Sequence, residues 1–67
     1  MIIASSFLKE FIKSQSDGIE GFSKMIGVSR PTVYKIMNDE AISNDIMSTI
    51  LEKTGLELSK AFEVKED

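Results

Sequence analysis

The stretch GVSRP, residues 27–31, constrains the fold most, because it stops one helix and starts another within five residues. Gly27 accepts the positive φ of a helix terminus and Ser29 offers an N-cap oxygen. Pro31 falls in a first turn, where its missing N–H has no intrahelical partner to lose. A two-turn helix therefore ends at Gly27, with Ile19, Phe22, Ser23 and Ile26 along one face. A second helix begins near Arg30, carries Val33 and Ile36 three apart with Met37 alongside, and runs out at Asn38, before Asp39 and Glu40. Phe22, Ile26, Val28, Val33 and Ile36 are apolar where neighbouring helices must face, and Ser23 is small where two axes approach.

Helical period dominates elsewhere too. Phe7, Leu8, Phe11 and Ile12 make one apolar stripe, with Ser5 or Ser6 to cap its start and Gly18 to end it. Ser43 caps a fourth helix whose face is Ile46, Met47, Ile50 and Leu51; Asp45 meets the positive end of its dipole and Gly55 closes it. A short last helix from about Glu57 to Val64 brings Leu58, Ala61 and Phe62 to the same core, and the tail at about 64–67 is expected to fray. Strand signals are poor: no period-two run of β-branched or aromatic residues extends beyond a few residues, and no Asn-Gly or Asp-Gly hairpin joins two such runs. The expectation is an all-α fold, a compact bundle of about five short helices in a single domain over residues 1–67.

A chain of 67 residues supports one economical core. It has no Cys and no His, which removes disulfides, thiolate chemistry, zinc sites built from those residues and imidazole catalysis together. Its carboxylates form no constellation with a nucleophile, a base or a metal site, and there is no Gly-rich phosphate loop. Neither catalysis nor a metal or other cofactor is expected. No apolar run approaches the ~20 residues that cross a bilayer, and the N-terminus has no basic signal region, so the chain reads as soluble and cytoplasmic.

The net charge of −3 conceals an uneven distribution. Residues 1–20 carry −1, residues 39–67 carry −5, and residues 21–38 hold Lys24, Arg30 and Lys35 with no acid, giving +3. If Val33 and Ile36 point inward, Arg30, Pro31, Tyr34, Lys35 and Asn38 remain on the outward side of their helix or its rim. That face offers two cations, a phenol and an amide.

FSKMIGVSRPTVYKIMN resembles the helix-turn-helix of the lambda repressor and Cro class of regulators, to which the Xre-type repressors also belong. The likeness continues through AISNDIMSTILEKTGLELSKAF, similar to that family's fourth and fifth helices, and covers roughly residues 5–63. Many relatives start the second helix with Gln and place Ala where this chain has Ser23; here the start reads Ile19-Glu20-Gly21. The resemblance implies a lambda repressor-like domain with its helix-turn-helix at about 19–38, and a recognition helix, 30–38, laid in the major groove of double-stranded DNA. It implies base-edge roles for that outward set. Arg30 forks onto guanine and Lys35 meets guanine or phosphate. Tyr34 meets phosphate or a thymine methyl, or else packs against the first helix, and Asn38 pairs with adenine or simply ends its helix. Lys24, Ser29 and Thr32 are the phosphate candidates, though Ser29 also suits a purely capping role. Ser43 and Asn44 add a further phosphate site at a helix N-terminus, which Asp45 weakens.

With so few cations one copy binds weakly, and relatives bind as dimers, so a homodimer on DNA is implied, the acidic C-terminal third with Leu56, Leu58, Phe62 and Val64 being the segment nominated for self-association. The expected function is a sequence-specific transcriptional regulator, a small repressor of the phage or mobile-element type. The same acidity suits a different class: an antirepressor or modulator that acts by binding a partner repressor.

Overall fold

Residues 1–66 are described by a computed structural model, in which two helices start on a capping serine side chain and two end on a glycine. The order is β1 (Ile2–Ala4), α1 (Ser6–Lys13), α2 (Gly18–Ile26), α3 (Arg30–Met37), α4 (Asn44–Thr54), α5 (Leu58–Ala61) and β2 (Phe62–Val64). Ser5 caps α1 by accepting the Leu8 N–H at 3.2 Å, and Ser43 caps α4 by accepting the Ile46 N–H at 3.3 Å. Gly27, at φ 75°, and Gly55, at φ 71°, end α2 and α4 in the left-handed conformation that costs a residue without Cβ little. Gly18 does not end the first helix. That helix stops at Lys13, where the Ser14 N–H reaches the Glu10 carbonyl at 2.9 Å, and Gly18 instead turns the loop into α2 with its own N–H on the Gln15 carbonyl.

The fold is five helices with a small two-stranded sheet, so the all-α expectation needs correction. β1 and β2 pair antiparallel with Ile2 opposite Val64 and Ala4 opposite Phe62. The last helix is a single turn that ends at Ala61, three residues before the expected Val64, because Phe62-Glu63-Val64 extends to pair with β1. The pairing continues past the strands: the Lys65 N–H donates to the Met1 carbonyl at 2.8 Å and the Met1 ammonium to the Lys65 carbonyl at 3.0 Å. Val64 and Lys65, at the start of the tail expected to fray, thus lie opposite Ile2 and Met1; residue 67 lies outside the described residues. On its other side β1 accepts the Ile42 N–H on the Ile2 carbonyl at 2.9 Å, so the connection between α3 and α4 also packs on this strand.

One core joins all the helices and both strands. Leu8, Ile12, Phe22, Val33, Ile50 and Ala61 are fully buried, with Ile26, Ile36, Ile42, Phe62 and Ala4 around them. Burying each large aliphatic side chain contributes roughly 1.5–3 kcal/mol. The Phe11 and Phe22 rings meet edge to face, centroids 6.2 Å apart, and join α1 to α2. Phe7 and Leu58, both expected in the core, are half exposed. On the single turn of α5 it is Ala61, not Leu58, that is buried.

Candidate nucleic-acid interface

α2 and α3 are joined by residues 27–29 alone. The turn is tight because Gly27 and Val28 both donate to the Ser23 carbonyl, at 2.9 and 3.0 Å, while the Ser23 hydroxyl folds back onto the Glu20 carbonyl at 2.8 Å. Ser23 is buried, and its small side chain lets α3 approach α2. Ser29 occupies the N-cap position of α3, but its hydroxyl does not cap a backbone N–H. It pairs with the Thr32 hydroxyl at 3.0 Å, so the cap is made by the Ser29 backbone carbonyl, which accepts from Thr32 and Val33.

Val33 and Ile36 are buried, which turns the rest of α3 outward. Arg30, Pro31, Tyr34, Lys35 and Asn38 are all exposed, and Thr32 lies at the boundary. Tyr34 keeps 51% of its surface, so it is not packed away against α1. Arg30 and Lys35 make no ion pair among the described residues, and both guanidinium and ammonium are free to take an anion. Asn38 is the C-cap by position, through its backbone N–H to the Tyr34 and Lys35 carbonyls at 3.0 and 3.1 Å, and its side-chain amide is left exposed. The two readings of Asn38 are thus compatible: backbone closes the helix, side chain faces out.

The phosphate candidates divide. Lys24 is exposed on α2 and pairs with Glu20 one turn earlier at 3.6 Å, a surface contact of the kind worth under about 1 kcal/mol and readily exchanged for another anion. Ser29 and Thr32 are engaged with each other at the start of α3. Ser43 and Asn44 belong to α4, where Ser43 Oγ is already an acceptor for Ile46 and Asp45 adds negative charge in the first turn.

The end of α3 brings together two residues to which sequence reasoning gave no functional role, Asp39 and Lys9 of α1. Asp39 adopts φ 61°, its N–H on the Ile36 carbonyl at 3.4 Å, and the Glu40 N–H reaches the Lys35 carbonyl at 3.2 Å, the two bonds that close a helix through a left-handed residue. The Asp39 carboxylate forms an ion pair with Lys9 of α1. The hydrogen bond from Lys9 holds its carboxyl below the ordinary aspartate range against an opposing desolvation, with weaker help from the charges of Lys9 and Lys65. The available signal was an acid just past a helix end, where a residue tolerant of left-handed backbone is required.

No group of acidic residues able to hold a metal, and no helix long and apolar enough to cross a membrane, occurs among the described residues. No protein-family model, curated protein or solved structure matches the chain.

Proposed function

We propose that the protein is a sequence-specific double-stranded DNA-binding regulator of the lambda repressor-like type, with α2 and α3 as its helix-turn-helix and α3 as the helix that enters the major groove. The observation that carries this is the polarity of α3. Val33 and Ile36 anchor one side in the core while Arg30, Tyr34, Lys35 and Asn38 stand exposed on a segment with no acid, its two cations unpaired among the described residues. Arg30 supplies the bidentate fork that reads guanine O6 and N7, worth about 1–3 kcal/mol of discrimination. Lys35 takes guanine or phosphate, Tyr34 phosphate or a thymine methyl, and Asn38 adenine. Pro31 contributes apolar contact, and Lys24, Ser29 and Thr32 contact phosphate. The activity is binding and repression, in the cytoplasm, with no chemical step.

Affinity comes from a homodimer that sets two copies of α3 on successive turns of the groove, about 34 Å apart. The free edge of β2 supports this. Met1 and Lys65 form a hydrogen-bonded pair, so by alternation Val64, opposite Ile2, turns its N–H and carbonyl away from β1. Two copies paired antiparallel about Val64 would set Glu63 of each opposite Lys65 of the other, and would cover a valine that is 70% exposed.

Fluorescence anisotropy with a random duplex, followed by selection of bound sequences from a random pool, tests the reading. Salt-sensitive binding and a near-palindromic selected site are expected. No binding at micromolar protein and low salt favours the second reading, an acidic modulator that occupies a partner repressor. That reading is supported by the −5 charge of residues 39–67 around the exposed Leu58 and Val64.

A further inference from the structure

Asp39 stands where its own chemistry is a disadvantage. At φ 61° it fills a backbone conformation that Gly or Asn adopts more easily. Its charge sits at the negative end of the α3 dipole, beside Glu40. What compensates is Lys9. The ammonium meets Asp39 Oδ1, an oxygen closed off from solvent, and the Lys9 side chain keeps only 25% of its exposure. The two other ion pairs among the described residues, Lys13–Glu10 and Lys24–Glu20, each lie along one helix between exposed side chains and fasten nothing together. Lys9–Asp39 joins α1 to the end of α3.

We propose that Lys9 and Asp39 are a positioning pair that pins the C-terminal end of α3 against α1 and so sets how the Arg30–Asn38 face meets a duplex. The proposal rests on the DNA-binding reading above. α3 is held to α2 at its first residues by the turn and by Val33; its far end is held by Ile36 and Met37 against the core, by Ile42 on β1, and by this pair, the one of these contacts made by charge. An eight-residue helix is about 12 Å long, so a tilt of roughly 5° about its start displaces the other end by about 1 Å. Base-edge hydrogen bonds from Lys35 and Asn38, on the last turn, are sensitive to a shift of that size, since a functional constellation needs about 0.5 Å accuracy. Arg30, at the pivot, is not displaced.

Asp39→Asn removes the charge and keeps a residue suited to left-handed backbone; Asp39→Gly removes the charge and relieves the backbone; Lys9→Met removes the cation. Each is compared with wild type for melting temperature and for anisotropy binding to a selected duplex and to a random one. The expected result is a fall of roughly fivefold or more in the preference for the selected duplex in all three, the lower end of what one misplaced base contact costs. Asp39→Gly should melt within about 5 °C of wild type. Lys9→Met with Asp39→Asn should lose no more preference than either alone, because the two act as one unit. Preference retained in both Asp39 variants, or loss that is equal on the two duplexes and follows melting temperature, overturns the proposal. Additive losses in the double variant also overturn it. A wild-type protein that binds neither duplex removes the DNA-binding reading itself and this inference with it, an outcome distinct from wild-type binding whose preference the variants leave intact.

Discussion

The α2–α3 unit and the β1–β2 sheet are held by opposite means. In the first, residues within a few positions of one another make the contacts: Gly27 and Val28 to Ser23, Thr32 and Val33 to Ser29, Glu40 to Lys35. In the second, Ile2 meets Val64 and Ser5 meets Ala61, so the whole chain must fold back before a bond forms. The first is basic and faces outward with its polar side chains; the second buries Ile3, Ala4 and Phe62 and draws only β2 from the acidic C-terminal third. A protein can thus reserve a locally determined unit for its surface chemistry and leave closure of the domain to residues that take no part in it. Both units still share one core, since Val33 and Ile36 bury in the same cluster as Ala4 and Phe62.

The hardest test of that shared core is Phe62→Ala. Losing this buried ring should cost about 3–5 kcal/mol, most of the stability of so small a domain. Circular dichroism should show α2 and α3 melting in the same transition as the rest; helicity surviving in a fragment spanning the two would separate the regions. Arg30→Ala works on the other region alone. It should leave the melting temperature unchanged and remove about 1–3 kcal/mol of discrimination at one base position, read by competition between the selected duplex and single-base variants. Ser5→Ala removes both the acceptor for the Leu8 N–H and the hydroxyl donated to the Lys60 carbonyl, for about 1–2 kcal/mol, with DNA affinity of the folded protein unaffected.

These contrasts follow how each region is written into the chain. Helices α1 to α4 were legible to within a residue or two at most ends because Ser5, Gly27, Ser43 and Gly55 announce them locally. The outward face of α3 was legible for the same kind of reason: once Val33 and Ile36 are assigned inward, the helical period fixes the rest. The sheet was not, since three residues are too few to display a period of two and the partner strand lies at the other end of the chain. Phe62 was assigned to the core correctly and to the wrong backbone. Nor could Lys9 and Asp39 be paired from sequence, because their meeting depends on how α1 packs beside the end of α3.

Two smaller effects sharpen the comparison further. Since Asp39 is held below its ordinary range, its pairing stabilises the fold at any pH above that range and is lost as pH falls through the depressed value. Wild type should therefore lose more melting temperature than Asp39→Asn between pH 5 and pH 2.5, and parallel curves would deny the pair any role in stability. Lys24→Ala should weaken binding to every duplex about equally and lower the salt slope by about 1, with no effect on base preference.

The pairing of Ile2 with Val64 also bears on the order in which the chain folds. Closing so long a loop is entropically slower than winding any of the helices it encloses, so the contacts between the two strands are expected to form last. On the ribosome, α1 through α4 emerge before the strand that fastens them, and for that interval the apolar sides of Ala4 and Ile3 are bare. Newly made chains should accordingly be most vulnerable to proteases and to one another in the moments before Phe62 arrives.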